Sequence, residues 1–153
     1  MRTSLLAVFL LGGCGSPFSP GDTNEWAAAR SLWAKRPFPD YLFEIRISCF
    51  CATEVNQWTR VVVTGGRVVQ AQAPGATEPY PTEMLSYWPT VDEVFARVLS
   101  ARHSQGVSRI DVRYDATLGY PTDVDISYDS SIQDAGASYT LRNVQFLRNP
   151  SPF

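Results

Sequence analysis

Residues 41–48, Tyr41-Leu42-Phe43-Glu44-Ile45-Arg46-Ile47-Ser48 ("YLFEIRIS"), alternate apolar and polar side chains with a period of two. That period predicts a strand with its odd-numbered residues turned to a core and its even-numbered ones to water. A second strand is expected from about Trp58 to Thr64 and a third from about Arg67 to Ala73. Gly65-Gly66 between them supplies a two-residue turn tolerant of positive φ. The same alternation returns late in the chain. In "SRIDVRY", Ile110, Val112 and Tyr114 oppose Arg109, Asp111 and Arg113, and in "TDVDISYD", Val124, Ile126 and Tyr128 oppose Asp123, Asp125, Ser127 and Asp129. Leu118-Gly119-Tyr120-Pro121 reads as the turn between them. The last strand sets Tyr139 and Leu141 inward and then Val144 and Phe146, so its parity slips by one; a bulge near Arg142 or Asn143 reconciles the halves.

Two helices precede these strand groups. Asp22 and Glu25 mark a start, Trp26, Ala29, Leu32 and Trp33 recur at helical spacing, and Pro37 ends the pattern. The paired tryptophans are expected in the core, because each ring carries a large apolar area. Thr90-Val91-Asp92-Glu93 is a capping-box signature, followed by a stripe of Val91, Val94, Phe95, Val98 and Leu99. His103, the only histidine, falls near the end of this helix, where it complements the negative terminus. The order α-βββ-α-βββ predicts an α+β fold, two helices packed on a curved antiparallel sheet, with a single domain over 22–149. The repeated helix-plus-three-strands order also suggests a degenerate duplication, although no residue-level repeat accompanies it.

The N-terminus carries an address. Arg2, an apolar run from Leu5 to Leu11, and Gly12-Gly13 before Cys14 have the layout of a secretion signal over 1–13. The run is far shorter than the roughly 20 residues of a membrane-spanning helix. Leu11-Gly12-Gly13-Cys14 resembles the lipobox of bacterial lipoproteins, which makes Cys14 the expected lipidated N-terminus. Residues 14–21, rich in Gly, Ser and Pro, are the expected flexible tether, and 150–153 a tail. The expectation is therefore an exported, membrane-anchored lipoprotein, held through lipid on Cys14 and facing the periplasm from the outer membrane where the source is Gram-negative. Without Arg2 the chain has 12 basic residues against its 15 acidic ones. Nothing in that balance points to nucleic acid, which usually calls for a basic excess.

Cys49 and Cys51, in "ISCFCA", are the chemistry-bearing pair. By strand parity both follow Ile47 inward, about 6.6 Å apart in an extended chain, close to the upper limit for a disulfide of about 6.8 Å. A structural clip or buried thiols, a redox couple and half of a metal site are the readings open to them. An oxidising compartment favours pairing. Zinc would need two further ligands that the chain does not obviously offer. The aspartates Asp111, Asp115, Asp123, Asp125 and Asp129 invite a calcium reading centred on Asp123 and Asp125, yet they match no EF-hand spacing, and Arg109 and Arg113 share their face as partners for a charge ladder. No nucleophile elbow, zinc-protease pair or phosphate loop is present, so no catalytic residue and no cofactor are expected.

"YLFEIRISCFC", "TVDEVFARV" and "VRYDATLGYPTDVDISYD" together resemble the bacterial lipoproteins grouped as domain-of-unknown-function family 6174, over roughly Trp33 to Phe146. The resemblance implies a lipid-anchored, envelope-facing domain without an assigned activity. It adds weight to Cys49 and Cys51 belonging together and to Tyr114-Asp115 with Gly119-Tyr120-Pro121 forming a structural hairpin. The expected function is a non-catalytic binding or scaffolding module with an envelope partner; the alternative is an envelope thiol-redox protein using the C-x-C pair.

Overall fold

A computed structural model of the chain describes residues 20–129 and 136–148. Residues 1–19, with the signal, Cys14 and most of the tether, and the tail at 150–153 lie outside them. The elements are α1 (Pro20–Ala34), β1 (Tyr41–Ser48), β2 (Thr59–Thr64), β3 (Arg67–Gln72), a 3₁₀ helix (Thr82–Tyr87), α2 (Val91–His103), β4 (Val107–Tyr114), β5 (Pro121–Tyr128) and β6 (Ala137–Phe146). This is the α-βββ-α-βββ order read from the sequence, with a six-residue 3₁₀ helix in the proline-rich stretch expected to be irregular. Helix α1 begins at Pro20, ahead of the expected start; Asp22 lies within its first turn.

All strands are antiparallel and form one sheet, in the order β3-β2-β1-β6-β5-β4. Two three-stranded meanders are thus joined along a β1–β6 seam, and the first and last strands of the domain lie side by side at its centre. The β1–β6 register runs Leu42↔Gln145 and then Glu44↔Arg142, so Asn143 and Val144 together oppose Phe43. This is the bulge that the parity slip requires. Asn143 has φ 56°, a left-handed conformation that asparagine tolerates better than most residues.

The odd-numbered residues of β1 point inward as predicted: Tyr41, Phe43 and Ile45 are fully buried, as are Trp33 of α1 and Val94 of α2. Trp33 meets Tyr41 edge-on at 5.1 Å. The helical stripes need two corrections. Leu32 and Leu99 are substantially exposed, and Ala101 takes the buried place at the end of α2. In α1 the adjacent Trp33 occupies the core, which leaves Leu32 at its rim, against the turn at Gly119.

The capping box is formed in full: the Glu93 amide donates to Thr90 Oγ1 (3.1 Å) and the Thr90 amide to Glu93 Oε2 (2.7 Å). Asp92 in that first turn locks the helices together. It accepts from Trp33 Nε1 (3.3 Å) and pairs with Arg30 (2.9 Å) and Arg36 (3.4 Å), while the Val91 amide donates to the Tyr41 hydroxyl (3.2 Å). Gly65 and Gly66 both have positive φ in the β2–β3 turn.

Candidate binding site on the open sheet face

Because α1, α2 and the 3₁₀ helix lie on one side of the sheet, the even-numbered residues of β1 and their neighbours make a face that no element among the described residues covers. Register decides who stands beside whom. Arg46 lies opposite Thr140, which lies opposite Asp123, which lies opposite Arg113. One step along, Ser48, Ser138, Asp125 and Asp111 form a second row. Glu44 stands between Arg60 and Arg142. Charge is mixed across the face: Arg46, Arg60 and Arg142 with Glu44 lie on β1, β2 and β6, and the aspartates of β4 and β5 stand with Arg109 and Arg113.

Trp58 sits at the arginine side. Thr59, Val61 and Val63 of β2 face the core, so Trp58 takes the outward parity immediately before the strand. The Arg142 guanidinium lies 3.8 Å from its ring centroid and that of Arg46 5.3 Å. Glu44 then orients Arg142 through a 2.8 Å pair and accepts from Asn143 Nδ2 at 3.0 Å, which ties the bulge into the cluster. The ring attracts the cations and shields them from water on one side; among the described residues, the N–H groups not given to Glu44 are left to meet an acceptor. The sequence reading did not select Trp58, Arg46 or Arg142. The available signal was an apolar tryptophan on the polar parity of a strand.

The cysteines lie at the end of β1. Their sulfur atoms are at disulfide distance and their Cα atoms 5.3 Å apart, closer than an extended strand allows, because the strand ends at Ser48 and the chain turns. The inward parity holds as far as Cys49, which packs on the margin of the core, and fails at Cys51, which is exposed; Phe50 between them is 87 % exposed. Asn56 braces the loop from its side, accepting from the Cys49 amide (3.1 Å) and donating to the carbonyls of Cys51 and Ala52.

A sequence profile described as a family of unknown function (DUF6174) matches residues 25–146, most of the chain and all six strands. The chain belongs to this family. No curated protein and no solved structure matches it. The match agrees with the resemblance carried by "YLFEIRISCFC" and extends it back along α1 from Trp33 to Glu25. In this DUF6174 domain the "YDATLGYP" element is a hairpin held by its own aspartate: Asp115 Oδ1 accepts from the amides of Thr117 and Leu118, and the Gly119 amide donates to the Asp115 carbonyl.

The acidic residues of the DUF6174 domain stand among partners. Asp111 pairs with Arg109, Asp123 with Arg113 at 3.4 Å, and Asp125 accepts from the Ser127 hydroxyl. Asp115 is engaged in its turn, and Asp129 lies beyond the end of β5. Among the described residues no three acidic, histidine or cysteine side chains converge as a metal site would require. Arg109 has its pKa raised by its hydrogen bond to Asp111. His103 ends α2, where the sequence placed it. Burial pushes the Tyr114 hydroxyl up to about 12 and raises those of Tyr41 and Tyr120, all three packed on the covered face.

Proposed function

We propose that this DUF6174 domain is a non-catalytic binding module of the bacterial envelope, anchored through lipid on Cys14 and engaging its ligand with the open face of the sheet. The observation that carries the reading is Trp58 with Arg46 and Arg142 against its ring, on a face that no element among the described residues covers. Large apolar rings and arginines are the residues that most often concentrate binding energy at interfaces. Support for the envelope comes from the export layout of residues 1–14 and from the Cys49–Cys51 pair, which suits an oxidising compartment.

Two measurements on the full chain in its native host test this. Cys14→Ser is expected to release the protein from the membrane fraction, and full retention there would reject the anchor. A photo-reactive side chain at Ser48, on the open face, is expected to crosslink envelope components, and one at Leu99, on α2, is not. Equal crosslinking from the two positions, or none from Ser48, would reject the open face as the binding surface.

A further inference from the structure

Beside Arg46 the open face sinks into a hollow of about 480 Å³ lined by Arg46, Ser48, Asn56, Ser138 and Thr140. Its lining is one cation, three hydroxyls and one amide, with no carboxylate and no apolar side chain. Arg46 differs from Arg109, Arg113 and Arg142, each of which holds a carboxylate. Its guanidinium rests near the Trp58 ring, and among the described residues no carboxylate comes within ion-pair distance of it. A guanidinium is a planar fork of donors that matches a carboxylate or phosphate oxygen pair. Here it is oriented by a ring and offered to a polar hollow.

Charge decides between those anions. Only one guanidinium lines the hollow, and Asp123 and Asp125 stand directly behind Thr140 and Ser138 in the sheet register. Like charges so close disfavour a doubly charged phosphate more than a singly charged carboxylate. The hydroxyls of Ser48, Ser138 and Thr140 both donate and accept, which suits a hydroxylated ligand. We propose that the hollow binds the carboxylate of a hydroxylated ligand, the chemistry of an acidic sugar, with Arg46 holding the carboxylate and the serine and threonine hydroxyls the neighbouring hydroxyl groups. The proposal deepens the open-face reading and rests on it.

The test is a titration of the isotope-labelled protein, following the Trp58 indole and Arg46 side-chain signals by NMR. The probes are an oligogalacturonate, its uncharged methyl ester, inorganic phosphate and vesicles of an anionic phospholipid. Saturable shifts with the oligogalacturonate are expected, with binding weakened at least about tenfold by esterification and equally by Arg46→Gln. Arg46→Lys, which keeps the charge and loses the fork, is expected to fall between, and covers the case in which the glutamine variant does not fold. Arg67→Gln, at the far hairpin, is expected to bind as the parent does.

No saturable shift, equal binding of ester and acid, or undiminished binding by Arg46→Gln would overturn the proposal. Stronger binding of phosphate or of the vesicles would overturn the choice of a carboxylate sugar. If Trp58→Ala or Arg142→Gln abolished sugar binding while Arg46→Gln did not, the hollow would be wrong and the open face still the binding surface. If crosslinking from Ser48 also failed, both readings would fall.

Discussion

Gly119→Ala and Gly66→Ala form a matched pair that tests how the second meander is fastened to α1. Both glycines adopt left-handed φ, 78° and 75°, where a Cβ costs about 1–2 kcal/mol. Both substitutions recover about 0.4–1 kcal/mol by restricting the unfolded chain. At Gly66 a Cβ would meet nothing within 4 Å, so the net loss is expected to be about 1 kcal/mol or less. At Gly119 the same atom would stand 2.3 Å from the Ala29 carbonyl oxygen and 2.7 Å from Leu32 Cβ. The first of these is helix backbone and does not rotate away, so the turn must lift. Lifting it loosens Tyr120, which is 8 % exposed and packs edge-on near Trp33. An aromatic pair contributes about 0.5–1.5 kcal/mol beyond the burial of its area. Partial loss of that burial adds on the order of 1–2 kcal/mol. The expected cost of Gly119→Ala is therefore about 3 kcal/mol, near 10 °C in Tm for a domain of this size. Urea and thermal unfolding of the two variants against the parent read the difference. Losses equal to within about 0.5 kcal/mol would refute the close approach to α1, because only backbone conformation would then be at work.

Three further outcomes are expected. Asp92→Asn keeps the shape but removes the charge that Arg30 and Arg36 share and weakens the bond from Trp33 Nε1; a loss of about 1–2 kcal/mol in denaturant unfolding is expected, partly recovered in high salt. Reduction, or Cys49→Ser with Cys51→Ser, frees a loop so short that the chain-entropy relation gives a loss of only about 1.6 kcal/mol, and Asn56 still braces it; collapse of the fold on reduction, seen by circular dichroism, would contradict this. Tyr41, Tyr114 and Tyr120 have raised pKa values in the folded chain, so the unfolded chain releases their protons first as pH rises; the stability they contribute is intact below about pH 10 and falls above it, and for Tyr114 that loss runs to about 12. Late tyrosinate absorbance in the native protein, coinciding with unfolding, checks it.

How much of this was legible depends on the range of the interaction that decides each feature. The strands of β1 and β5, the capping box at Thr90 and the Gly65-Gly66 turn rest on periods and spacings within a dozen residues, and all are present. The bulge was legible because a single strand shifts its own parity between Leu141 and Val144. The strand predicted over 41–48 is β1 itself, but its parity does not carry on to Cys51, and nothing local in "ISCFCA" shows this. What ends it is the turn that Asn56 holds from beyond the cysteines. Leu32 and Leu99 were assigned to the core because a helical stripe is wider than the surface it packs on.

The binding face lay beyond such reading for a physical reason. Its members come from β1, β2 and β6, and the seam that joins Arg46 to Thr140 and Glu44 to Arg142 pairs strands at opposite ends of the chain. Alternation shows that Arg46, Arg142 and Thr140 are outward; it says nothing of which strands are neighbours, because a meander order and this one share the same pattern. The sheet order makes the consequence specific. With β6 next to β1 instead of β4, Arg46 meets the hydroxyls of the last strand, and the aspartates are set one strand further away. Had β4 taken that place, Arg46 would stand beside an outward row of Arg109, Asp111 and Arg113 and would find a carboxylate at once. The hollow beside Arg46 thus exists because the two meanders join through their outermost strands in sequence. The bulge at Asn143, on the same seam, brings Asn143 and Arg142 onto one carboxylate, Glu44, and so holds the second guanidinium against Trp58 and out of the hollow.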